Sequence, residues 1–338
     1  MKKIVSVLLA VLMMTCLLVP AMTVNAATEH VYYVSATGDN AKDGKTEANA
    51  MKTVAAAVKV AENATGYAAG DSVVIKVSGV VNEGGSLQGL LGSKYQAIYV
   101  AGTKTKIPVI VEGTTADAAI KFDAGKENWS NRRFAYLDIV FKNISIQVTG
   151  DKKLALIAGS GDLTFDNVKF AEDVKWIIYA NPISKTPMSK GDALGLTEYH
   201  PTVTFKNGDY TALDEVAVIS QHDGSNIDLT DAYAAMVHPK MVIESTAKMG
   251  TVAFANVNIK VADATLEIKK GAQVANVKKT TEGVTIGYTF NFIDGNAAAD
   301  PAPAPSTPST ADASEIVLFS FLAVVSLAGV AVVSKTRA

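Results

Sequence analysis

The chain has 338 residues, 49% hydrophobic and 19% charged, with a formal net charge of -2. An ordinary soluble domain carries about 25% charged residues, so the apolar excess asks for greasy segments in addition to a folded domain. The near-neutral charge excludes a nucleic-acid binder built on a basic stripe, and a single cysteine excludes a disulfide scaffold.

Lys2 and Lys3 precede an apolar run from Ile4 to Met22, and Val24-Asn25-Ala26 supplies the small residues of a cleavage site. This is the layout of a secretory signal peptide over residues 1–26. Cys16 lies inside that run and leaves with it, so the mature chain must be stable through its core alone. The ectodomain then spans 28–296. A strand at Val31–Val34 runs into a turn rich in Gly, Asp and Asn. Asp39 and Asp43, beside Gly38 and Gly44, resemble a calcium loop. Two carboxylates fall short of the six or so oxygens calcium prefers, so the loop reads as a structural turn, with calcium the one cofactor the sequence admits. Met51, Val54, Ala55 and Val58 recur at helical spacing and predict an amphipathic helix over 50–63, stopped by Asn63 and Gly66.

Gly70-Asp71 opens a strand, and from there short apolar runs alternate with turns. A pattern of apolar-x-Phe-x-Asn recurs at Phe141 and Asn143, Phe165 and Asn167, Phe205 and Asn207, and Phe254 and Asn256. The asparagines are 24, 40 and 49 residues apart. The first spacing fits one coil of a stacked solenoid, the second a coil with an added loop, the third two coils. Stacking buries the apolar face that no coil can bury alone. The phenylalanines are expected to stack inward in one column. The asparagines are expected to sit in left-handed turns and bond each other as a ladder.

These residues, with the opening stretch from Tyr32 to Gly79, resemble the pectin-lyase-like superfamily across residues 30–290. The resemblance implies an all-β, right-handed parallel β-helix (solenoid) with an N-terminal capping helix. It also implies either a polysaccharide lyase or hydrolase, or a non-catalytic surface protein of adhesin type. A lyase needs a calcium cluster with an Arg or Lys base, and a hydrolase needs close paired acids. No Asp-Asp pair occurs in the chain. Two loops hold the nearest chemistry. Trp129, Arg132 and Arg133 combine a sugar-stacking ring with cations that fork onto carboxylates. His222 beside Asp223 has acid–base potential, and Arg132 is the matching weak catalytic candidate. For each loop an ordinary surface turn is the alternative. His30, His200 and His238 are isolated and show no local metal-ligand spacing, and Trp176 and Tyr179 read as core.

Residues 297–314 form a Pro/Ala/Ser/Thr-rich stalk. Ile316 to Val333 is 18 residues without a charge, followed by Lys335 and Arg337, and predicts a transmembrane helix with a basic tail over 315–338. This end resembles the cell-wall sorting signal of Gram-positive surface proteins in degenerate form. Thr307-Pro308-Ser309-Thr310-Ala311 keeps the proline and threonine but lacks the leading leucine and the glycine. It implies sortase processing at Thr310. The expectation is a bacterial protein held on the outer face of the cell, membrane-anchored or wall-attached. It would bind glycan without catalysis; the alternative is a tethered lyase or glycoside hydrolase acting on uronic-acid polymers.

Overall fold

The computed structural model describes residues 27–297, except 85–97, 104, 124–129, 135–136, 150–152, 159–160, 181–197, 199, 214, 220–237, 256–262 and 279–288. The chain divides into two units, 1–296 and 297–338, and every described strand belongs to the first.

Three parallel sheets carry the fold. The first has nine strands in strict chain order: Glu29–Ser35, Ser72–Ser78, Val109–Gly113, Ile139–Lys142, Leu163–Asp166, Thr202–Lys206, Lys240–Ile243, Asp263–Ile268 and Thr289–Asp294. The second holds Val80–Gly84, Ala119–Asp123, Ser145–Thr149 and Lys169–Phe170. The third runs from Ser130–Phe134 through Lys153–Ala158, Lys175–Ala180 and Glu215–Ile219 to Lys248–Ala255, with Asp209–Tyr210 and Gln273–Lys278 beside it. One short antiparallel pair, Ile98–Tyr99 with Lys106–Ile107, departs from this pattern.

The chain enters each sheet again one strand further along, because strands of alternating apolar residues bury one face and must stack to cover it. This is an all-β, mostly parallel architecture compatible with a solenoid. It corrects the expected fold class in two respects. The described strands do not amount to a closed right-handed helix of coils. The one α-helix, Val54–Glu62, has nine residues, or roughly 14 Å against a bilayer core of about 30 Å. No helix among the described residues is long and apolar enough to cross a membrane, and the transmembrane segment expected over 315–338 lies outside them.

That α-helix packs on the first strands of the stack through Val54, Ala57, Val58 and Ala61. Its N-terminus is capped twice. The Thr53 hydroxyl accepts from the Ala56 N–H at 3.1 Å, and the buried Glu83 carboxylate accepts from the N–H groups of Val54 and Ala55. The turn before it is fixed by Asn40, whose side-chain oxygen takes the N–H groups of Lys52 at 2.8 Å and Thr53 at 3.1 Å. Gly38 cannot carry a side chain here, because a Cβ would stand 2.1 Å from the Met51 carbonyl oxygen.

Phe141, Phe165 and Phe205 lie in register on adjacent strands and stack at 6.0 and 5.2 Å between ring centroids. Phe170 meets Phe165 edge-on at 5.3 Å and Trp176 at 4.8 Å. Tyr210 closes the cluster against Phe205, its buried hydroxyl donating to the carbonyls of Phe165 and Lys206. Phe254 is a correction to the expected column. It lies in the third sheet and packs edge-on to Phe292 at 6.1 Å. The fourth position of the column is Ile243, in register with Phe205 and then with Ile268. The reason is that the coil after Phe205 is itself long, so a 49-residue step lands on another face instead of two coils on.

Asn143, Asn167 and Asn207 all have φ near +50°, and the Asn167 amide donates to the Asn143 side-chain oxygen at 2.9 Å. Asn207 instead donates to Asp166 at 2.7 Å. Asn256 lies outside the described residues. The ladder ends upstream at Gly113, where a Cβ would meet the Asn143 carbonyl oxygen at 2.2 Å. A left-handed residue costs a β-branched side chain about 1–2 kcal/mol, and glycine nothing. Asn167→Val is therefore expected to be less stable than Asn167→Gly by about that amount in denaturant titrations. Equal stability of the two variants would show that this turn is not held left-handed.

Candidate functional site

The outward face of the nine-stranded sheet carries a row of alternating charge. Lys76, Glu112, Lys142, Asp166 and Lys206 are successive in-register neighbours. Ion pairs close at 2.9 Å between Lys142 and Glu112 and at 3.1 Å between Lys206 and Asp166. In-register parallel stacking puts like beside like unless the sequence alternates, and like charges directly opposite are destabilising. Beside this row runs a half-buried strip of Ile110, Val140, Thr164 and Thr204.

Where the first sheet turns into the second, a hollow of ≈ 330 Å³ follows the asparagine ladder. Thr114, Thr115, Asn143, Ser145, Asn167 and Lys169 line it. Its groups are hydroxyls, amides and one ammonium. Thr115 is tied in by accepting from the Gly79 N–H at 3.0 Å, and Thr114 donates to the Val77 carbonyl at 3.0 Å. Such a surface offers hydrogen bonds in both directions, which suits a ligand rich in hydroxyls.

The opposite, entry edge of the nine-stranded sheet gathers titratable groups. Lys106 pairs with Asp138 at 2.9 Å, and Asp138 also accepts from the Asp162 N–H at 3.0 Å. Asp162 in turn accepts from the Thr202 N–H at 3.2 Å. Further along, the imidazoles of His200 and His238 stack at 4.7 Å with 16° between planes. His200 Nε2 bonds Glu198 at 3.0 Å, and His238 Nδ1 bonds Asp263 at 2.8 Å. Among the described residues, Glu198, His200 and His238 are the group whose donor atoms all lie within 4.8 Å of one another, as a metal ion requires.

Sequence reasoning missed this cluster by treating the histidines as isolated. The signal was present: His200-Pro201 and His238-Pro239 repeat the same dipeptide just before strands that pair in register, Thr202 on Lys240.

Of the loops singled out in the sequence, Arg132 and Arg133 fall in the strand Ser130–Phe134, in register with Leu156 and Ile157. Trp129, His222, Asp223 and Thr310 lie outside the described residues. Trp176 is fully buried, with its indole N–H donating to the Ala171 carbonyl at 3.3 Å. His30 bonds the buried Asp71 at 3.0 Å. Asp71 also accepts the N–H groups of Ala68 and Thr28, and these bonds hold its carboxyl down to about 2. In the Asp39–Asp43 loop, each carboxylate accepts the backbone N–H two residues on, from Ala41 and Lys45, at 3.0 Å. Those are turn-closing bonds.

No protein-family model, curated protein or solved structure matches this chain.

Proposed function

We propose that this protein is exported and binds a polysaccharide along its stacked sheets without cleaving it. The observation that carries the reading is the polar hollow beside the asparagine ladder. Its hydroxyl, amide and ammonium groups repeat from strand to strand at the sheet spacing of about 4.8 Å, a regular array for an extended sugar chain. The neighbouring Ile110–Thr204 strip adds an apolar surface for the C–H faces of sugar rings. The signal-peptide layout of residues 1–26 supports export. The likeness of the opening stretch to the pectin-lyase-like superfamily supports a polysaccharide partner. The stalk-like 297–314 stretch with its degenerate motif at Thr310 supports sortase-type attachment outside a Gram-positive cell.

The test is binding to a glycan array and to purified cell-wall polysaccharide, followed by calorimetry on the best ligand. Lys169→Glu and Asn167→Gly alter the hollow while sparing the fold, and each is expected to weaken binding by about tenfold, the value of one lost hydrogen bond to a charged or well-placed group. Wild-type protein that binds no polysaccharide would end this reading. Release of soluble oligosaccharides from uronic-acid polymers, with or without calcium, would replace it with a lyase or hydrolase.

A further inference from the structure

We propose that Glu198, His200 and His238 form a binding site for a divalent transition-metal ion of the zinc class. The site is independent of the polysaccharide reading. It arises from the stacking itself. The Lys240 N–H donates to the Pro201 carbonyl at 2.9 Å, which locks the two His-Pro dipeptides side by side at the entry to neighbouring strands. A residue before proline is confined to extended backbone, so both imidazoles leave the chain in the same way. Two histidines 38 residues apart thus become a pair of nitrogen ligands.

The next strand supplies the supporting group. An ionised carboxylate only accepts, so the 2.8 Å bond to Asp263 makes His238 Nδ1 the donor and leaves the lone pair on Nε2. A carboxylate behind a ligating histidine is the usual device for fixing its tautomer and raising its basicity. Glu198 brings the third ligand, an oxygen, from two residues before His200. Rotation of exposed side chains suffices to tighten donors now within 4.8 Å onto bonds of about 2.0–2.2 Å, since Glu198 and His200 are each about 60% exposed. Two imidazoles and one carboxylate select zinc or its neighbours over calcium and magnesium, which take oxygen ligands. Three protein ligands leave a fourth position for water or an outside group.

The experiment is calorimetric titration of zinc chloride into untagged, chelator-stripped full-length protein near pH 7.5. One ion per chain is expected, with Kd of about 10 µM or tighter. His200→Ala is the decisive variant, because its side chain is 61% exposed and the fold does not depend on it. It and His238→Ala are each expected to weaken binding by about 100-fold, and Asp263→Asn by about 10-fold or more. The melting temperature of each metal-free variant reports whether it is folded. Cobalt substitution gives a second readout: visible bands of a low-symmetry site in wild type, absent in His200→Ala. Zinc binding that survives His200→Ala unchanged, or no binding by wild type at 100-fold above the expected Kd, overturns the proposal.

Discussion

Phe165→Ala is expected to be the most damaging single truncation in the described core. Its ring is fully buried and touches three others, Phe141 and Phe205 in the stack and Phe170 edge-on. Removing it deletes the transfer energy of a large side chain and leaves a cavity whose walls are strands pinned by backbone hydrogen bonds. Those walls cannot collapse inward, so the cost belongs in the range of about 3–5 kcal/mol. For a domain of this size that lowers the melting temperature by about 10 °C. The control is its neighbour Thr164→Ala, half-buried on the outward face of the same strand, where a change of at most about 0.5 kcal/mol is expected. Thermal unfolding followed by circular dichroism separates the two, and equal effects would contradict the inward stacking of the phenylalanines.

Glu83 makes stability fall as pH rises through neutrality. Burial pushes its carboxyl up to about 7 from an ordinary 4.5, against the opposing pull of the Val54 and Ala55 N–H groups. The folded protein therefore keeps a proton that the unfolded chain has released. Its contribution to stability is fully present below about pH 4.5 and is lost as pH rises through about 7. At 1.36 kcal/mol per unit the loss is about 3 kcal/mol. Glu83→Gln removes the titration, so the difference in unfolding free energy between variant and wild type is expected to change by about that amount between pH 4 and 8. The expected direction is a variant that gains on wild type as pH rises. A constant difference across that window would mean that Glu83 is ionised throughout and acts as an ordinary helix cap.

Local pattern and spatial arrangement were legible to different degrees. The helix needed only spacing within ten residues: Val54, Ala57, Val58 and Ala61 form its buried face, and Asn63 closes it through a side-chain bond to the Lys59 carbonyl. The Phe-x-Asn repeat was visible because a left-handed turn narrows the choice of residue to Asn or Gly. Three of its copies fall in one sheet, and the fourth phenylalanine does not, because sequence distance counts loops and coils alike. The alternating charges could not be read at all, since Lys76, Glu112, Lys142, Asp166 and Lys206 are separated by 36, 30, 24 and 40 residues. Nothing periodic links them until the strands are laid side by side.

The candidate metal site shows the same limit. Local spacing rules for ligands search a single helix or loop, whereas here the histidines belong to neighbouring turns of a stack.

The sequence by itself determined that this is a β-rich chain built of repeated short strands, with one early helix, inward phenylalanines and turns set by asparagine. Those are local matters of burial period and backbone angle. Only the tertiary structure decided which residues became neighbours: Ile243 in place of Phe254 in the column, the charge row, and His200 against His238. The physical reason is that a parallel stack fixes contacts by register, and register is set by the length of each intervening loop, which carries no pattern of its own.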